Sequence, residues 1–312
     1  MAAAAGGAVF VLGGVNAAGV TISDVVRITP ATGAVTRVGA LAEPTHGAAA
    51  VTAGGRILVF GGAATTVHTA VQSFDPATGV TTVTGLLPGP RADLAAAAAG
   101  GRQVLLGGFD GSGPLDSVLI ASGTTGFRTL TRLPQAVRYP AVEVSGGEVY
   151  LFGGLLSGGE YTGTFTPLIQ QVDPATGTAR IAGRLPYPVA HAKAVVLDGQ
   201  ILILGGSTPQ GPTADILRFD PARQAITLVG RLPAPSTDGA VAAIGDTGYL
   251  VGGLSATGPA RSDRRHQAPL YQPNPQRGLI ISSRPETIPS RTAAGNRSPT
   301  VPAGGRVHGG SP

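Results

Sequence analysis

Five polar side chains stand at a nearly constant distance ahead of Gly-Gly pairs: His46, Asp93, Tyr139, His191 and Asp238. Arg91 and Arg138 lie beside two of them. An imidazole next to a carboxylate can exchange protons with a bound ligand near neutral pH, and a guanidinium can hold an anionic group. Two histidines with two aspartates would also be an adequate donor set for a divalent metal. Ligands to one metal must, however, converge to within about 4–5 Å of each other, and residues drawn from separate repeats ring an axis wider than that. The pattern therefore points away from a metal and gives no cofactor. Two roles fit the residues. They bond the exposed backbone ends of the strands they precede, or they form a polar-ligand site.

Other chemistries lack their residues. The chain has no cysteine, so it has no disulfide and no thiol nucleophile. No Gly-x-Ser-x-Gly elbow, His-Glu-x-x-His helix or paired Cys/His cluster occurs. Asp110-Gly111-Ser112-Gly113 reads as a turn, because neither a following helix nor further acidic ligands accompany it.

The elements that position the five residues are repeats. Apolar runs end in Gly13-Gly14, Gly61-Gly62, Gly107-Gly108, Gly153-Gly154, Gly205-Gly206 and Gly252-Gly253, spaced 46 to 52 residues apart. Ahead of each pair lie an earlier strand and a tight turn, as at Gly54-Gly55, Gly100-Gly101, Gly146-Gly147, Asp198-Gly199 and Asp246-Thr247-Gly248. Such turns require positive φ, so each reads as a hairpin. A third strand follows, then an Asp-Pro-Ala-Thr-Gly type of turn (Asp75 to Gly79, Asp173 to Gly177) and a fourth strand. Four antiparallel strands per unit with no helical period is the pattern of a β-propeller blade, and six units would close a ring. The first strand of each unit, nearest the axis where space tapers, is built of small residues such as Ala95 to Ala99.

An apolar strand ending in Gly-Gly, with an aromatic ahead of the next turn at Phe74 and Phe219, resembles the kelch-repeat propellers in their Ala/Gly-rich bacterial form. The resemblance covers roughly residues 1 to 253. It departs from the kelch pattern in having no tryptophan. It implies an all-β, six-bladed propeller of four-stranded antiparallel blades over residues 1–285. The last blade (240–285) is degenerate or incomplete, and its pattern is lost after 253. One completion pairs Ala268 to Gln272 with a strand from Leu279 to Pro285 as an antiparallel hairpin. Residues 286–312 read as a disordered, basic Pro/Gly/Ser-rich tail.

The formal charge of +5 comes from that end of the chain. Beyond residue 260 stand eight arginines against Asp263 and Glu286, which leaves the propeller near neutral. With no aromatics interleaved among these arginines, nucleic acid is not a partner on this reading. No apolar run is long enough to span a membrane. Met1 to Leu12 matches the repeat and lacks the basic start of a signal peptide, and the compartment is unknown.

Function is less legible than fold, since kelch members include sugar oxidases, epimerases and adaptors. The copper-radical oxidases among them use a cysteine cross-linked to tyrosine, which this chain cannot form. The first expectation is a monomeric, non-catalytic scaffold that binds a protein or glycan on its channel-mouth face. The alternative is a sugar-modifying enzyme of the epimerase or mutarotase kind, in which those histidines and aspartates exchange protons. The loop from Leu155 to Leu168, carrying Glu160, Tyr161 and Phe165, is long for its place in the repeat, and Tyr161 there could stack on a sugar.

Overall fold

Each repeat opens with a hairpin. Ala49–Ala53 pairs antiparallel with Arg56–Phe60 across Gly54 and Gly55, whose φ angles of 56° and 77° give the turn the twist that matches the strands. In the last repeat the strands end and begin at Ile244 and Thr247, so its turn is Gly245-Asp246 and not the expected Asp246-Thr247-Gly248. The computed structural model describes residues 1–122, 126–255, 258–259 and 279–282. No helix among them is long and apolar enough to cross a membrane.

Five sheets of four antiparallel strands, each paired in chain order, form from the stretches 2–40, 49–86, 95–132, 141–184 and 193–231. They are the blades of a β-propeller. Their innermost strands meet in sequence around an axis, and Ala2–Ala5 touches both Ala49–Ala53 and Ala240–Ile244. Where the sequence suggests a sixth blade there is a three-stranded sheet. Ala240–Ile244 and Thr247–Val251 are antiparallel, and Leu279–Ser282 lies directly against Thr247–Val251 in parallel. This corrects the expected hairpin, in which Leu279 to Pro285 was the outer antiparallel strand. A parallel return needs a connection of about a dozen residues or more, and the chain from Pro259 to Leu279 is long enough to supply it. The proposed partner strand, Ala268 to Gln272, and the tail 286–312 lie outside the described residues.

The core sits between blades. Phe152, Tyr150, Ile201 and Phe219 pack blade four on blade five, and Phe10, Leu12, Ile57 and Phe74 pack blade one on blade two. Val9, Ile28, Tyr249 and Val251 seat the three-stranded sheet against blade one.

A backbone clasp joins each blade to the chain entering the next. The N–H groups of Gly14, Gly62, Gly108, Gly154 and Gly206 donate to the carbonyls of Thr45, Arg91, Val137, Val189 and Ser236, each at 2.8 Å. The first glycine of each pair makes room for that carbonyl. A Cβ on Gly153, at φ 64°, would lie 2.0 Å from the Val189 oxygen, and one on Gly61 2.1 Å from that of Arg91. The pair is therefore a packing requirement rather than a flexible hinge.

Substitution separates the two kinds of glycine. Gly153→Ala must move the Val189 carbonyl as well as adopt left-handed φ, and is expected to cost about 3–5 kcal/mol in urea unfolding. Gly54→Ala has open space at its Cβ and should cost only about 1 kcal/mol. Similar losses at the two sites would refute the clasp.

Candidate functional site

The residues that enter the innermost strands form a ring at the diglycine end of the channel. Asp93, Tyr139, His191 and Asp238 are in the left-handed region, with φ of 55°, 55°, 58° and 58°. In this conformation the backbone passes a hydrogen bond from blade to blade. The Asp93 N–H donates to Gly47 O at 2.6 Å, Tyr139 to Asp93 O at 2.8 Å, His191 to Tyr139 O at 3.1 Å and Asp238 to His191 O at 3.3 Å. A non-glycine residue held here is strained by roughly 1–2 kcal/mol. Four in succession, all polar, mark the ring as a place where side chains matter.

Gly47, at φ 60°, and not His46, holds the ring position of blade two. The hairpin turn after Ala53 is no longer than those of the other blades, so His46 falls one residue ahead of the ring position. A Cβ at 47 would lie 2.4 Å from Asp93 Oδ1, so the Asp93 carboxylate occupies the space a side chain would need. His46 sits one residue earlier, in a bridge with Ala63, and its Nδ1 meets Thr21 Oγ1 at 2.9 Å. Arg91 is also outside the site. Its guanidinium turns into blade three, donating to the carbonyls of Gly107 at 2.7 Å and Ser117 at 3.0 Å, and burial lowers its pKa to about 10.

The other six expected residues converge. His191, with a fully enclosed side chain, places Nδ1 2.6 Å from Asp238 Oδ1 and Nε2 3.0 Å from the backbone oxygen of Glu160. Both partners are acceptors, so the two bonds are complete when both ring nitrogens carry hydrogen. The imidazole is sandwiched between Tyr139, at 3.9 Å between ring centres, and Tyr161, at 5.0 Å. Asp238 also accepts from the Tyr161 hydroxyl at 2.8 Å and that of Thr237 at 3.1 Å. Arg138 packs over Phe109, lies 3.6 Å from Asp93 Oδ2 and donates to Gly158 O at 2.8 Å.

The loop from Leu155 to Leu168 is a small hairpin, Leu155–Ser157 with Thr164–Phe165. Leu155 and Phe165 are buried with Ala190, so Phe165 anchors the hairpin and does not face a ligand. The tip reaches over the mouth. Glu160 accepts from the Tyr139 hydroxyl at 3.2 Å, and Tyr161 covers His191.

Electrostatics differ sharply between the two aspartates. Burial pushes the Asp93 carboxyl up to about 6, against the opposing pull of Tyr139 and Arg138. Burial would raise Asp238 too, but the bond from His191, its charge and that of Lys193 hold it below its usual value. Burial and the neighbouring carboxylates push both tyrosine hydroxyls up. Glu160, His191 and Asp238 offer donor atoms within 4.8 Å of one another, the one such group of three among the described residues. Both His191 nitrogens are already engaged, so a metal would have to displace a hydrogen bond.

Lys193, on the innermost strand of blade five, was not singled out in the sequence. It opens that strand two residues after His191, and the charges of Asp238 from the adjoining sheet and of Asp93 oppose the lowering of its pKa by burial. The available signal was its place in the repeat, where four of the other sheets carry alanine and blade one carries Met1.

No family model and no curated protein matches the chain. Among solved structures it is similar to YjhT, with a TM-score of 0.70 at 16% identity over 84% of this chain and 92% of that one. The likeness is one of fold.

Asp93 gives the site a pH signature. Its folded pKa lies above the unfolded value, so its stabilising contribution is complete below about pH 4 and is lost as pH rises through about 6. Asp93→Asn should therefore match the wild type near pH 4 and exceed it by up to about 3 kcal/mol above pH 7. Chemical unfolding across that range checks the sign, and a gain that shrinks with rising pH would contradict it.

Proposed function

We propose that the chain is a kelch-type propeller, six units around one channel, that binds a small hydroxylated ligand of the sugar class at the channel mouth without transforming it. The observation that carries this reading is how the hairpin tip is held. Gly158 O, Glu160 O, the Glu160 carboxylate and the Tyr161 hydroxyl satisfy Arg138, His191, Tyr139 and Asp238 in turn. The tip itself is exposed and buries no apolar side chain there. Contacts of this kind exchange readily for those of a ligand that offers hydroxyl and carbonyl groups. Tyr161, stacked on the enclosed His191 and itself exposed, supplies the flat ring on which a sugar packs.

A thermal-shift screen against neutral and acidic monosaccharides tests it, since a ligand of the folded state raises the midpoint by mass action. A sugar that stabilises the wild type should bind Tyr161→Ala about tenfold more weakly, with the unliganded midpoint of the variant little changed. Equal affinity would remove the hairpin from the site.

A second reading, acid/base catalysis on a sugar, is favoured by one observation. Asp93, near 6, sits across the mouth from the His191–Asp238 pair, so a base titrating near neutrality faces an oriented imidazole. Exchange between sugar anomers or epimers, followed by NMR, should then be abolished in His191→Gln with an unchanged melting temperature. Parallel losses of turnover and stability would dismiss it.

A further inference from the structure

We propose that the ligand of the channel mouth is an anion and that the Lys193 ammonium receives its charge. The inference rests on the reading of the mouth as a ligand site and names the class of ligand.

The repeat supplies its own control. Lys193 opens the innermost strand of blade five, opposite Leu204. At the same register stand Ala49 opposite Phe60, Ala95 opposite Leu106, Ala141 opposite Phe152 and Ala240 opposite Val251. In blade one Met1 holds this position opposite Leu12, and alanine meets the requirements of the fold in the other four sheets. A long cationic side chain is an addition the architecture does not ask for. Of the 22 lysines and arginines in the chain, one is a lysine, and it is this one. A lysine carries a compact, mobile point charge on a flexible stem, whereas the arginine used everywhere else is a planar fork suited to fixed pairs.

Its charge is not matched locally. Among the described residues the Lys193 ammonium has no hydrogen bond and no ion pair. The carboxylates that act on it from a distance are already committed, Asp238 to His191, Tyr161 and Thr237, and Asp93 to Arg138. With those pairs set aside, the mouth retains the Lys193 ammonium, the Met1 amino group, whose pKa burial and the charge of Lys193 lower to about 6, and one anion, the Glu160 carboxylate on the hairpin tip. Burial lowers the pKa of Lys193, as expected of an ammonium lacking a close counter-charge. When the hairpin lifts, Glu160 leaves with it, and an entering ligand that carries a carboxylate restores the balance. A neutral ligand of the same shape leaves the ammonium as it was, so the site should discriminate between them.

A single lysine makes the test direct. In full-length protein labelled with ¹⁵N-lysine the side-chain ammonium gives one resonance, which is titrated with glucuronate, with glucose as the neutral counterpart and with inorganic phosphate. Glucuronate should shift this resonance and bind at least about tenfold more tightly than glucose. In Lys193→Ala, which installs the residue of four other sheets and should melt no lower than wild type, that preference should vanish. Lys193→Arg should retain it. The proposal is overturned if the resonance responds to neither anion, or if Lys193→Ala binds glucuronate as the wild type does. Asp238→Asn tells the two readings apart. Binding lost in Asp238→Asn but intact in Lys193→Ala leaves the mouth as the site and removes the lysine. Binding intact in both variants removes the mouth as well.

Discussion

The molecule depends on one hydrogen bond repeated between neighbours, from the second glycine of a pair to the carbonyl of the segment that enters the next blade. Its recurrence at 2.8 Å in five places fixes the offset between successive blades. Because the first glycine must leave room for the same oxygen, the clasp writes itself into the sequence as Gly-Gly. At the last pair Gly252 keeps its positive φ of 68°, and among the described residues nothing lies within 4 Å of where its Cβ would be.

The clasp also builds the site. It anchors the connecting segment two residues ahead of each ring position, as at Val189 before His191 and Ser236 before Asp238. The ring positions then turn left-handed and hand a backbone hydrogen bond to the next blade. Their side chains have no structural task that a glycine could not perform, as Gly47 shows in blade two. What the fold supplies is a rigid circle of positions open to chemistry. The side chains at those positions, and the hairpin of blade four above them, convert a repeated scaffold into a single asymmetric cluster running from blade three to the three-stranded sheet.

This division explains what could be read from the sequence. Blades, hairpins and the diglycine strands were legible because packing imposes them identically at every repeat. Asp93, Tyr139, His191 and Asp238 were legible for the same reason, as polar residues at a recurrent position. His46 was misplaced by one residue because counting along a repeat has no error signal, whereas the φ of Gly47 gives the register directly. Arg91 looked like Arg138 in sequence, and only the direction of the side chain separates a guanidinium that bonds Ser117 from one that reaches Gly158. The parallel placement of Leu279–Ser282 was not legible, since its apolar run carries no direction.

Lys193 carries no recurrent signal, because it is polar where the repeat is apolar. Glu143 shows the same deviation deeper in the channel. It lies among Ala2 to Ala4, Ala96 to Ala98 and Val241 to Ala243 around a cavity of about 300 Å³. Burial pushes its carboxyl up to about 7, although the N–H groups of Val144 and Val196 oppose the shift. A channel that alanine and valine would fill equally well thus carries a cation toward its mouth and a titrating carboxyl further down. In a repeat protein, a costly deviation from an otherwise sufficient residue is stronger evidence of a task than any recurrent motif, because the repeat has already shown what folding alone requires.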